Sequence, residues 1–62
     1  MATHKYLNEG KVDLVEIQYR IDTEEIVPNI GDWYVFRGEA YSICSRLFDA
    51  DRGLILLRGH NK

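Results

Sequence analysis

The chain has 62 residues, of which 45% are hydrophobic and 29% are charged, a balance typical of one small folded domain, residues 1–62. Its formal net charge of −2 argues against a general nucleic-acid binder, which usually carries a basic excess. No apolar run approaches the ~20 residues of a membrane span, and MATHKYLNEGK does not resemble a signal peptide, so we expect a cytoplasmic protein.

In chain order, the first strong signal is a strand that begins at Val12. Residues 1–11 are predicted to form a tail or a weak first strand, because Asn8-Glu9-Gly10 is turn-like and would fold His4–Leu7 back. In VDLVEIQYRI, apolar and polar side chains alternate, and this period of two predicts a half-buried strand. The apolar face of that strand carries Val15, Ile17, Tyr19 and Ile21.

The next segment, DTEEIVPNIGD, has no strand pattern. Asp22 and Glu25 have the spacing that caps a single helical turn, and Pro28 presets a turn. Three apolar side chains indicate that the segment lies across an open side of the sheet. These are Ile26, Val27 and Ile30.

A hairpin of two aromatic strands is predicted in WYVFRGEAYSICSRLF. Gly38-Glu39 suits a two-residue turn, which would place Phe36 opposite Tyr41. One face would then be core-like and carry Tyr34, Phe36, Tyr41, Ile43 and Leu47. The other face would carry Trp33, Val35, Arg37, Ser42, Cys44, Arg46 and Phe48.

The last strand, LILLR, is apolar on both faces, and residues 59–62 are predicted to fray. The expected fold is all-β: a four- to five-stranded antiparallel meander, built as a small SH3-like partial barrel or a curled sheet. A flatter sheet packed face to face in a dimer is the alternative. Because so short a chain buries little surface, we expect a homodimer that covers part of the last strand, with residues 26–30 as the competing cover.

The candidate binding residues are Trp33, Arg37, Arg46 and Arg58. If the three arginines share the face of Trp33, that face would suit phosphate groups or an acidic protein partner. The alternative is a solvated face balanced by Glu16 and Glu39. We expect no enzyme or cofactor, because no nucleophile elbow, P-loop or dinucleotide fingerprint occurs. We expect no metal site, because His4 and His60 lie near opposite ends of the chain with no Cys or His at ligand spacing. Cys44 has no neighbouring histidine and is predicted to be a buried thiol.

The stretch from Pro28 to Phe48 resembles a pattern in small β proteins of bacteriophage and prophage origin. The matching positions are Pro28, Gly31, Asp32, Gly38, Tyr41 and Ile43. The resemblance implies a short accessory protein that acts by binding a host or phage protein, and it assigns no binding residue. The sequence therefore favours a non-enzymatic protein-binding module. The alternative is a small nucleic-acid-binding barrel that uses Trp33 and the strand arginines.

Overall fold

The computed structural model describes residues 1–61 as one sheet of five antiparallel strands, with no helix among them. The strands are β1 (Thr3–Tyr6), β2 (Leu14–Arg20), β3 (Trp33–Phe36), β4 (Glu39–Asp49) and β5 (Leu54–His60). The sheet curls into a half-barrel, so that side chains of the two edge strands, β1 and β3, touch. The predicted all-β fold is confirmed, and residues 1–11 contain a true first strand.

The strand order is β1-β2-β5-β4-β3, which departs from a simple meander at one point. β3, β4 and β5 are consecutive neighbours, but β2 pairs with β5, and residues 21–32 cross to the far edge. This order places β2, with its alternating apolar face, beside β5, whose first four residues are all apolar. The core therefore forms around β2 and β5.

We call the concave side of the sheet the inner face and the convex side the outer face. The buried side chains lie on the inner face, and they are Val15, Ile17, Tyr19, Tyr41, Ile43, Ile55 and Leu57. Tyr34 and Phe36 are half-buried and pack against this core. In β5, Ile55 and Leu57 point inward, whereas Leu54 and Leu56 are half-buried on the outer face.

The β3–β4 turn lies one residue earlier than predicted. Its central residues are Arg37 and Gly38, both at positive φ (52° and 80°), and Phe36 faces Glu39 rather than Tyr41. Two central residues at positive φ make the turn type whose twist matches the flanking strands, and glycine accepts its second position without strain. The predicted Gly38-Glu39 turn is therefore wrong in register, but Tyr34, Phe36 and Tyr41 still share the inner face.

A bulge at Cys44 reverses the alternation of side chains along β4. Ile43 pairs with Gly59 and Ser45 pairs with Arg58, which leaves Cys44 as the extra residue. Leu47, predicted in the core, is 57% exposed on the outer face. Arg46 and Phe48, predicted on the outer face, lie in register with Leu57 and Ile55 on the inner side. Cys44 itself is exposed, so the predicted buried thiol is wrong.

The connection from β2 to β3 covers the core through one side chain. Val27 packs against the buried cluster, whereas Ile26 is 92% exposed and Ile30 is 62% exposed. No helical turn forms at Asp22–Glu25; instead the Thr23 hydroxyl accepts a hydrogen bond from a backbone amide two residues later. The predicted cover by this segment is thus confirmed for one of three side chains.

Two predictions about the ends of β2 and β5 are wrong. Ile21, predicted on the buried face, lies beyond the end of β2 and is 52% exposed. Residues 59–61 do not fray, because Gly59 and His60 belong to β5 and the Asn61 amide donates to the Asp13 carbonyl at 2.9 Å. Lys62 lies outside the described residues.

Gly59 is the point of closest packing between β4 and β5. A Cβ atom there would lie 2.9 Å from the Tyr41 Cβ, on strand backbone that cannot move freely. We expect Gly59→Ala to lower the free energy of unfolding by about 1–3 kcal/mol through overpacking. Urea unfolding measures this, with Ser45→Ala on the outer face as the control. Equal stability of Gly59→Ala and the parent would contradict the close approach.

Candidate interaction surface

The four candidate binding residues do not come together. Trp33 lies on the outer face of the edge strand β3 and is 62% exposed. Arg58 is also on the outer face, but on β5 between Glu16 and Ser45. Arg46 lies on the inner side of β4, and Arg37 lies in the β3–β4 turn. The predicted basic and aromatic patch is therefore not formed.

Two of these arginines turn toward aromatic rings of their own hairpin. The guanidinium of Arg37 lies 5.2 Å from the centre of the Phe36 ring, and that of Arg46 lies 5.0 Å from the centre of the Phe48 ring. These distances are typical of cation–π interactions, so both guanidinium groups interact with aromatic rings of their own chain. The Arg46 Nε atom is buried and has no hydrogen-bond partner among the described residues. Arg46 is thus partly buried on the inner side, whereas Arg37 remains exposed in the turn.

The cross-strand neighbours of the two outward side chains of β3 are small and uncharged rather than basic. Trp33 faces Ser42 across the hairpin, and Val35, which is 70% exposed, faces Ala40. The nearest acidic side chain in sequence, Asp32, already accepts a hydrogen bond from the Asn29 amide at 2.8 Å. Trp33 and Val35 therefore form an exposed apolar pair, which we call the β3 patch.

The backbone of β3 is also open on one side. The Ile43 amide donates to the Asp32 carbonyl at 2.9 Å, so alternate residues of β3 point their backbone groups toward β4. In an antiparallel ladder, the residues between them point their N–H and C=O groups the other way. Trp33 and Val35 are those residues. The β3 patch thus combines two exposed side chains with the free backbone groups of an edge strand.

The inner sides of the two edge strands are fastened by His4. Its Nε2 atom lies 2.7 Å from the Tyr34 hydroxyl, and its ring stacks on Phe36 with ring centres 3.9 Å apart and planes 8° from parallel. Burial lowers the pKa of His4, and the nearby charge of Arg37 lowers it further. We call this contact the His4 clasp. Sequence reasoning missed it, because nothing local to residue 4 identifies partners thirty residues away.

Tyr34 extends the clasp into the core. Burial of Tyr19, and then the neighbouring Tyr34 side chain, raise the pKa of Tyr19 to about 12. The side chains of His4, Tyr34 and Tyr19 thus run from β1 through β3 to β2. Burial therefore favours the neutral forms of His4 and Tyr19, at the two ends of this row.

The His4 clasp predicts a stability change in mildly acidic solution. The pKa of His4 is below 6.5 in the folded chain and near 6.5 when unfolded, so the unfolded chain binds more protons between these values. The clasp therefore contributes fully above pH 6.5, and its contribution is lost as pH falls through the folded pKa. The free energy of urea unfolding, measured from about pH 7.5 to about pH 5.5, reports this change. Carboxylates titrate below this range, so they contribute little to it. In His4→Phe the fall should disappear; an unchanged fall would exclude His4 as its source.

A second exposed area lies on the outer face, across β2, β5 and β4. Leu47 and Leu56 face each other there, with Glu16, Ser45 and Arg58 around them. These five residues line a shallow depression of about 250 Å³. This depression is too open and too small to enclose a drug-sized ligand, but it gives the outer face an apolar centre with charges beside it.

Comparison of the chain with protein-family models, with curated proteins and with solved structures gives no match. Among residues 1–61, no helix is long and apolar enough to cross a membrane. Within the same part of the chain, no group of three or more His, Cys, Asp and Glu side chains is placed to hold a metal ion.

Proposed function

We propose that the chain is a non-enzymatic protein-binding module that uses the β3 patch to bind an extended segment of another protein. The observation that supports this most strongly is the exposure of Trp33 and Val35, 62% and 70%, on a strand whose outward backbone groups have no strand partner. An extended segment can pair with such an edge while its side chains contact the exposed tryptophan. Exposed tryptophans are also frequent energetic centres of protein interfaces.

The apolar character of the β3 patch supports the protein-binding function over the nucleic-acid-binding alternative. A nucleic-acid surface needs arginines or lysines grouped beside the aromatic ring. Here Arg46 is on the opposite face, and Arg58 faces Glu16 and Ser45. We therefore propose a protein partner in the cytoplasm, and the resemblance to phage accessory proteins suggests a host or phage protein as that partner.

Capture from a cell lysate tests the partner class when the parent is compared with Trp33→Ala. We expect a protein retained by the parent to be lost, by about tenfold or more, from the variant, since hot-spot aromatics contribute 2 kcal/mol or more. Ile26→Ala is the matched control, because Ile26 is 92% exposed but lies outside the β3 patch. Retention should not change when the lysate is treated with nuclease.

Direct titration tests the nucleic-acid alternative. With the arginines separated, we expect single- and double-stranded DNA to bind no tighter than the non-specific range, ~1 µM or weaker at physiological salt. Fluorescence anisotropy of labelled oligonucleotides measures this. Tighter binding that is lost in Trp33→Ala, or protein capture that depends on nuclease-sensitive material, would favour the nucleic-acid function instead.

A further inference from the structure

We propose that the outer face of β2, β5 and β4 is the interface of a homodimer, in which two copies pack face to face with their strands antiparallel. The proposal goes beyond the binding function above, because it uses different strands and does not require the β3 patch. Its occupant is a second copy of this chain. The argument for that occupant is the distribution of charge around an apolar centre.

The centre of the proposed interface is one row of side chains across three strands. Gln18, Leu56 and Leu47 are direct neighbours on β2, β5 and β4. Leu47 is 57% exposed, and Leu56 is half-buried although it stands on the outside of the sheet. Two leucines in adjacent register form an apolar surface that a second copy can cover.

Charged side chains flank this row with opposite signs at its two ends. On β2, Glu16 lies two residues before Gln18 and Arg20 lies two residues after it. On the neighbouring strands the signs are reversed: Arg58 lies beside Glu16, and Asp49 lies in the row of Arg20. Across β2, β5 and β4, each end thus carries one positive and one negative group in the opposite order, and Lys5 of the edge strand β1 adds a second positive group beside Glu16.

This pattern is complementary to itself in one orientation. Consider a two-fold axis that lies between the two sheets, perpendicular to the strands, along the row of Gln18, Leu56 and Leu47. This axis places each strand over the same strand of the second copy, with the two strands running in opposite directions. Glu16 then lies over the second copy's Arg20, and Arg58 lies over Leu54, beside Asp49. A two-fold axis parallel to the strands, along β5, would instead place Arg58 over Arg58 of the second copy. The repulsion between these like charges makes that orientation unfavourable. The charges therefore select both the partner and the orientation.

The Arg20–Asp22 pair at this end can exchange partners, whereas Asp49 is 22% exposed and keeps its two hydrogen bonds from Arg52. Arg20 Nε lies 3.2 Å from Asp22, and Arg52 Nε lies 2.8 Å from Asp49. Arg20, Asp22 and Arg52 have side chains that are 78%, 68% and 66% exposed. Exposed pairs of this kind contribute little, so replacing them with contacts to a second copy has a small cost.

Sedimentation equilibrium at micromolar concentration tests the dimer, and we expect twice the 7.2 kDa mass of one chain. Leu47→Asp should give a folded single chain, because Leu47 is exposed. Glu16→Arg should weaken the dimer by about tenfold or more by placing like charges together. The double variant Glu16→Arg/Arg20→Glu should restore it, since both contacts are reversed. Trp33→Ala should leave the dimer unchanged.

A parent chain that sediments as one copy would overturn the proposal. So would a dimer that Glu16→Arg leaves intact, or a charge-reversed double variant that remains a monomer while circular dichroism shows a folded sheet. The charge series keeps the test decisive even if Leu47→Asp fails to fold. A negative result for the dimer does not bear on the proposed function of the β3 patch. That function is tested by a different measurement, the capture of a partner protein by the parent and by Trp33→Ala.

Discussion

Leu57→Asp is expected to leave the chain unfolded, whereas Leu56→Asp is expected to leave it folded. Leu57 is fully buried between β2 and β4, so a carboxylate there would lose its water. Its cross-strand neighbour Arg46 turns its guanidinium toward the Phe48 ring, so it is not positioned to replace that water. That costs several kcal/mol. A domain of this length has a total stability of roughly 3–9 kcal/mol, so the loss removes most or all of it. Leu56 points to the outer face, where a carboxylate reaches solvent.

Far-UV circular dichroism and urea unfolding of the two variants measure this difference. Both variants make the same chemical change at adjacent positions of one strand, so each is the control for the other. Leu56→Asp is also expected to disrupt the proposed dimer without abolishing the sheet signal. An unfolded Leu56→Asp beside a folded Leu57→Asp would mean that β5 presents the opposite face to the core.

The contrast between these leucines shows how far the pattern in the sequence predicts the fold. Alternation in β2 identified Val15, Ile17 and Tyr19 as core residues, and all three are buried. In LILL both faces are apolar, so the sequence predicts a strand but not which pair points inward. That choice depends on pairing with β2, a contact between strands nearly forty residues apart.

The candidate site was less predictable than the fold, because one extra residue changes the face of everything after it. The bulge at Cys44 moves Arg46 to the inner side and Leu47 to the outer face. No turn residue such as glycine marks this position in the sequence. The bulge thereby removes Arg46 from the face that carries Trp33. Trp33 lies before the bulge, so alternation predicted its face correctly, and the structure shows that this face is exposed.

Tyr41→Ala is expected to be the most destabilising aromatic truncation in the chain. Its side chain is fully buried at the contact with Gly59, and its hydroxyl donates to the Val12 carbonyl at 2.6 Å. Removing a buried aromatic ring leaves a cavity and costs about 3–5 kcal/mol. Because that is comparable to the whole stability of so short a domain, we expect the variant to be largely unfolded at room temperature.

Tyr41→Phe separates the ring from the hydroxyl. It keeps the packing against Gly59 but leaves the Val12 carbonyl without its donor, so we expect a loss of about 1–2 kcal/mol in the free energy of urea unfolding. Trp33→Ala serves as the exposed aromatic control and should change stability by about 0.5 kcal/mol or less. If Tyr41→Ala were no more destabilising than Trp33→Ala, the core could not be centred on Tyr41. If Tyr41→Phe matched the parent, the hydroxyl contact would contribute nothing, and the ring alone would connect β4 to the residues preceding β2.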